Sequence, residues 1–150
     1  MKKLLWLVVI ALSLAGTAPF VAYWIGMENA VGRPVVPQIH YAQKDALAVW
    51  QMRKEALPIS LRPISTWHWY ELIWCSLDDD QPGDFLTCGT SYPGLRASGF
   101  VAKEYLIKNM KRSGLIWRYL SRAAITVWIT KNWSKDDLVA ELVRLGRLGR

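Results

Sequence analysis

An uncharged run of 23 residues, 4–26, limits what this chain can fold into more than any other feature. As a helix it would be about 34 Å long, enough to cross a hydrocarbon core of about 30 Å. Lys2 and Lys3 precede the run, and Tyr23 and Trp24 lie near its far end. Basic residues favour the inner side of a membrane and aromatic residues its interface. The run therefore predicts a single membrane-spanning helix with its N-terminus inside.

A cleaved signal peptide is the alternative interpretation of this segment. Residues 4–15 have the length of a signal-peptide apolar core, and residues 16–18 offer small side chains for cleavage. Pro19 directly after that site disfavours cleavage, so we predict an uncleaved anchor. Under either interpretation the rest of the chain lies outside the inner membrane, on its periplasmic or extracellular side. Cys75 and Cys88 can there form a disulfide or stay reduced.

The part of the chain beyond the anchor divides into a linker and one domain. A length of 150 residues allows one modest domain. Gly32, Pro34 and Pro37 predict an extended linker over residues 27–41. The domain itself is predicted over residues 42–150.

The apolar residues of this domain recur at helical spacing, which predicts a mostly α fold. The predicted helices cover residues 42–56, about 66–77, 97–112 and 115–131, with a last helix from a Ser134 cap to about residue 145. The segment after Ser134 carries an acid three residues on, the pattern of a capping box. No strand alternation of useful length occurs.

The distribution of charge along the chain limits the class of partner that it can bind. Residues 96–150 hold twelve basic and four acidic residues, a net charge of +8 that favours an anionic partner such as a phosphate or a lipid headgroup. The predicted compartment excludes nucleic acid. The acidic run at 78–80 fails as a calcium loop because Pro82 occupies a ligand position, and His40 and His68 have no partner at metal-ligand spacing. We predict neither a metal nor a cofactor.

Two stretches carry a family resemblance. Residues 106–110, LIKNM, resemble the LxKNL sequence that follows a Thr-Gln-Gln motif, and residues 122–138 resemble EALLALRLERRYSKDEI without a gap. Both patterns belong to biosynthetic peptidoglycan transglycosylases, the glycosyltransferase modules of bifunctional penicillin-binding proteins and the monofunctional transglycosylases. The resemblance covers roughly residues 42–150, with its closest matches at 104–149.

The resemblance implies a small lysozyme-like helical domain and a substrate. Family members polymerise lipid II: a glutamate deprotonates the incoming 4-hydroxyl, and cations stabilise the departing pyrophosphate. Lys108 stands at the family's substrate-binding lysine with Asn109 beside it, and Arg118 lies near the motif arginine. Lys103 and Arg122 complete the predicted substrate-binding set.

The family's first catalytic glutamate has two possible positions in this chain. If residues 46–56 match the family's AVIAAED helix, Arg53-Lys54 replace Glu-Asp and Glu55 is the nearest acid. If residues 68–80 match instead, Asp78 stands there. We prefer the first placement, because its helix precedes a proline-rich connection.

The other family carboxylates are altered as well. Arg122 occupies the position of the second glutamate, and the Thr-Gln-Gln motif reads Lys103-Glu104-Tyr105. The candidate catalytic acids are therefore Glu104, Glu55 and Asp78.

These substitutions favour a membrane-anchored relative of the transglycosylases with a degenerate active site. Such a protein would bind lipid II or a glycan strand, or serve as the partner of an active cell-wall synthase. An active glycosyltransferase with a repositioned acid is one alternative. A cationic envelope protein without enzymatic activity that binds anionic lipid is the other.

Overall fold

The computed structural model describes residues 2–71 and 91–148. Five helices of ten residues or more occupy these parts: α1 Lys2–Asn29, α2 Gln43–Met52, α3 Leu95–Lys108, α4 Leu115–Asn132 and α5 Lys135–Leu148. Residues 68–71 are also helical. No strand occurs in the described parts, where Ala30 and Met110 form an isolated bridge. The prediction of a mostly α protein is confirmed.

Helix α1 has the dimensions of a membrane span. Its stretch Trp6–Asn29 covers 24 residues with a mean hydropathy of 1.9, and only 6% of the most apolar part is buried. The core helix of a soluble protein would be mostly buried, so this low burial separates α1 from that class. It is the one helix in the described residues that is long and apolar enough to cross a membrane. A membrane anchor and a signal sequence, the two predicted interpretations, share these properties.

The C-terminal turns of α1 belong to the domain core. Met27 and Ala30 are buried there, and Gly26 lies directly against the backbone of α4. A Cβ atom at Gly26 would stand 2.3 Å from the carbonyl oxygen of Leu120, so glycine permits this close approach. Residues 27–29, predicted as the start of the linker, therefore form the last turn of α1.

A single polar side chain fixes the end of α1. Asn29 is 3% exposed. Its Nδ2 donates to the Ser121 hydroxyl at 2.9 Å and to the Arg112 carbonyl at 3.2 Å, and its Oδ1 accepts from the Arg112 amide at 2.8 Å. Because buried polar groups are stable only when they are paired, this set specifies one docking position for α1.

The core of the domain lies between α2, α3, α4 and α5. Trp50 of α2 is fully buried at its centre, and its indole N–H donates to the Ala56 carbonyl at 2.9 Å. Ile125 and Ile129 of α4 and Leu138 of α5 are fully buried in the same cluster. Full burial of each such side chain contributes about 1.5–3 kcal/mol of transfer free energy.

The predicted start of the last helix is confirmed with its capping box. Asp137 accepts a hydrogen bond from the Ser134 amide at 2.8 Å, and the Asp137 amide donates to the Ser134 hydroxyl at 3.1 Å. Both residues lie within the stretch 122–138 that resembles the transglycosylase pattern. Their geometry satisfies the free amides of a helix N-terminus, so this match has a local structural cause.

Two predicted helices end early because tertiary contacts replace their last turns. α2 stops at Met52 instead of residue 56, since Lys54 adopts a φ of +55° and turns the chain. α3 stops at Lys108 instead of residue 112, because the Asn109 carbonyl accepts from the Val31 amide at 2.9 Å. Of the helix predicted over 66–77, residues 68–71 are helical and 72–77 lie outside the described residues.

Candidate functional site

A groove of about 1150 Å³, which we call the main groove, lies on the surface of the domain. Its walls are the extended residues 34–39, the C-terminal part of α2, one side of α3 and residues 141–146 of α5. Three of the predicted site residues line it, namely Glu104, Lys108 and Asn109. Asn109 donates from Nδ2 to the Tyr105 carbonyl at 2.8 Å, which fixes its side chain at the end of α3.

Arg53 and Glu104 both line the main groove. The guanidinium carbon of Arg53 is 3.4 Å from the centre of the Phe100 ring, a cation–π contact. Burial lowers the pKa of Arg53, and the negative charge of Glu104 acts in the opposite direction. Arginine stays charged under both influences, so the main groove holds both a cation and an anion.

Arg144 and Lys108, two further cations of the main groove, differ in whether they already have a partner. Arg144 binds Glu141 through two contacts, Nε to Oε2 at 2.6 Å and Nη2 to Oε1 at 2.5 Å. This bidentate pair is internally neutralised. Lys108 makes no hydrogen bond or ion pair within residues 2–71 and 91–148, and its side chain is exposed. Lys108 is thus the groove cation that is available to a ligand.

The other predicted basic residues lie in a separate place. Lys103, Arg118 and Arg122 line a second cleft of about 440 Å³ between α3 and α4, together with Leu115 and Tyr119. Ile107 contributes to both the main groove and the second cleft. The predicted substrate-binding set is therefore divided by α3 into two groups. Arg122 also donates from Nε to the Gly99 carbonyl at 2.9 Å, which ties α4 to α3.

Glu55 has a structural position. One carboxylate oxygen accepts from the Gly94 amide at 3.0 Å and the other from the Ala97 amide at 2.9 Å, so Glu55 caps the N-terminus of α3. An anion there also interacts favourably with the helix dipole. Glu55 lines neither the main groove nor the second cleft. Asp78, Cys75 and Cys88 lie outside the described residues.

The capping role of Glu55 predicts a loss of stability on substitution. Glu55→Ala leaves two amides at the start of α3 without their acceptor, so we expect the free energy of unfolding to fall by about 1–2 kcal/mol. Urea unfolding followed by tryptophan fluorescence in detergent measures this change. Glu28→Gln is the matched control, because its exposed ion pair with Lys111 at 3.8 Å contributes little. Equal stability of the two variants would contradict the assignment.

Sequence reasoning missed part of the groove. Phe100, Arg144 and the wall formed by residues 34–39 carry no motif, and the latter were predicted only as a linker. Pro34 and Pro37 indicate extended chain, but their position against α3 follows from long-range contacts such as the hydrogen bond from Tyr105 to the Val31 carbonyl at 2.6 Å. Burial raises the pKa of Tyr105, and the charge of Arg33 opposes this shift.

The groove holds charged and polar side chains but no metal centre. Among the described residues, no three His, Cys, Asp or Glu side chains come together as a metal site. No protein-family model, curated protein or solved structure matches the chain.

Proposed function

We propose that this is a membrane-anchored cell-envelope protein whose lysozyme-like domain binds lipid II, or the glycan strand made from it, without polymerising it. In this proposal α1 crosses the inner membrane once and the domain lies on the periplasmic or extracellular side. The main groove receives the sugars and the pyrophosphate. The protein is then a relative of the peptidoglycan transglycosylases with a degenerate active site.

The proposal rests mainly on the presence of both Arg53 and Glu104 in the main groove. In the preferred placement of the family resemblance, Arg53 stands at the position of the first glutamate, and Glu104 lies within the altered Thr-Gln-Gln motif. Both line the main groove, and the charge of Glu104 acts on Arg53. Two segments that the resemblance matched separately thus line one groove, which supports a shared ancestral substrate site.

The location of the groove also fits a lipid-linked substrate. Its Asn109 end is joined to the chain leaving α1 by the hydrogen bond from the Val31 amide. A headgroup whose lipid lies beside α1 therefore reaches the groove without crossing the domain. Lys108 supplies a cation for a phosphate oxygen, while carboxylates such as Glu104 accept hydrogen bonds from sugar hydroxyls.

The acids of the site favour binding over turnover. General-base catalysis needs a carboxylate within hydrogen-bond reach of the attacking hydroxyl. In the preferred placement that position is held by Arg53, and both oxygens of Glu55 are engaged by α3. Glu104 is the one of the three candidate acids known to line the groove. It is consequently the residue on which the alternative, an active glycosyltransferase, depends.

Retention of labelled lipid II by the full-length protein in detergent tests the proposal. Lys108→Ala removes a charge-assisted contact worth about 1.5–3 kcal/mol, so we expect affinity to fall about 10- to 150-fold. Lys131→Ala is the matched control, because Lys131 is equally basic and exposed but lines neither cleft. Arg118→Ala reports separately on the second cleft.

The possible results of this experiment distinguish the proposed function from its two alternatives. No retention by the parent protein, or equal retention by Lys108→Ala and Lys131→Ala, contradicts the assignment of the main groove. Glycan polymer formed by the parent and lost in Glu104→Gln would establish the enzyme instead. Retention of any anionic phospholipid as strongly as lipid II would favour the non-enzymatic lipid-binding alternative.

A further inference from the structure

Helix α1 lies against the domain along half of its length. Tyr70 donates a hydrogen bond from its hydroxyl to the Ala15 carbonyl, and the Phe20 ring packs edge-on against Trp67 with centroids 5.4 Å apart. Further along, Gly26 touches α4. Contact with the domain therefore begins near residue 15 and continues to the end of α1.

The part of α1 that is free of the domain is too short to cross a bilayer. Residues 2–14 make a helix of about 20 Å, whereas the hydrocarbon core is about 30 Å thick. A span that starts at Leu4, directly after the two lysines, ends near residue 23, since about 20 helical residues are needed. The outer part of the hydrocarbon therefore overlaps residues 15–23, at the level of Trp67 and Tyr70.

The side chains at this level suit a lipid environment. Trp67 is 50% exposed and Tyr70 40% exposed, although both are large and aromatic. Phe20 and Trp24 of α1 are also exposed, at 42% and 64%. Tryptophan and tyrosine concentrate at membrane interfaces, where the ring is in an apolar layer and the polar atom reaches water. We call these four residues the aromatic patch.

We propose that the aromatic patch inserts into the leaflet on the domain side of the membrane. The domain is then partly immersed in the bilayer and does not stand clear of it. The occupant of this surface is lipid, and the inference rests on the membrane anchoring in the proposed function. The immersion sets the height of the groove: Asn29 lies six residues beyond residue 23, about 9 Å above the hydrocarbon. A pyrophosphate-linked sugar extends over that distance.

The opposite end of α4 provides a surface for comparison. Tyr23 packs in the cluster around Val127, while Asn29 reaches Ser121, so α4 runs antiparallel to α1. Because Leu120 contacts Gly26, the residues of α4 before Leu120 lie near the end of α1, farther from the bilayer than Trp67 and Tyr70. Tyr119 is one of them, an aromatic side chain that is 65% exposed.

Site-specific photo-crosslinking of the full-length protein in phospholipid nanodiscs tests the inference. The photoreactive residue p-benzoylphenylalanine is introduced separately at Trp6, Trp67, Tyr70 and Tyr119, and lipid adducts are quantified by mass spectrometry. We expect adducts at Trp6, Trp67 and Tyr70 to be at least ten times more abundant than at Tyr119. Only variants with an unchanged helical circular dichroism spectrum are counted as folded. Trp67 and Tyr70 give two independent measurements of lipid contact at the aromatic patch.

The four labelled positions distinguish a domain that does not enter the bilayer from an α1 that does not span it. Adducts at Trp6 but at neither Trp67 nor Tyr70 would overturn the immersion and leave the anchor intact. No adduct at Trp6 would remove the membrane span and the immersion with it. Equal yields at Trp67 and Tyr119, or adducts of Trp67 with protein in place of lipid, would also overturn the immersion.

Discussion

Replacing Gly26 with leucine is expected to lower the free energy of unfolding by about 3 kcal/mol or more, which makes it one of the two most disruptive single substitutions we foresee. A Cβ atom at this position would lie 2.3 Å from the Leu120 oxygen, 2.7 Å from the Leu120 carbonyl carbon and 2.8 Å from the Ala124 Cβ. The first two are backbone atoms of α4, which no side-chain rotation can move away. The two helices must therefore separate, and the core between them opens.

Gly16→Leu is the control for this substitution, because it makes the same change in the same helix. A Cβ at Gly16 meets no heavy atom within 4 Å, so only helix propensity changes, by up to about 1 kcal/mol in favour of leucine. Urea unfolding of both full-length variants in one detergent, followed by circular dichroism, gives the comparison. Equal unfolding midpoints would mean that α1 and α4 do not form one cooperative unit.

The sequence predicts that α1 is a helix, but it does not predict where α1 docks on the domain. A long uncharged run has few alternatives to a helix in an apolar environment, so its existence and length follow from residues 4–26 alone. Its docking depends on Gly26 and Asn29, whose partners are some ninety positions away in the sequence. A glycine or an asparagine in such a run has no local signature that distinguishes a docking residue from a tolerated one.

The same contrast holds for the candidate site. The capping box at Ser134 and Asp137 is local, and the structure has it as predicted. Glu55 was chosen as a candidate acid because it is near the expected motif in sequence, yet it caps a helix that begins forty residues later. Local patterns therefore located the helices, while the direction of each charged side chain was decided by helix packing that periodicity does not encode.

The second large effect is expected for Asn29→Ala, which should lower the free energy of unfolding by about 3–5 kcal/mol. The substitution leaves the Arg112 amide, the Arg112 carbonyl and the Ser121 hydroxyl without their partner, at about 1–3 kcal/mol for each group that stays buried. The expected total lies in the lower part of that sum, because Arg112 is an exposed residue and the two bonds to its backbone are only partly buried.

Asn132→Ala provides the comparison for Asn29→Ala. It removes the same side chain, whose single bond to the Trp128 carbonyl at 2.8 Å lies on an exposed surface, so we expect a loss below about 1 kcal/mol. The difference between the two variants measures how firmly the end of α1 holds the turn between α3 and α4. That turn continues directly from Lys108 and Asn109, so a looser turn displaces the groove cation as well. Lipid II retention should accordingly fall in Asn29→Ala even at urea concentrations where the domain remains folded. Unchanged retention in a clearly destabilised variant would show that the groove is built independently of the membrane helix.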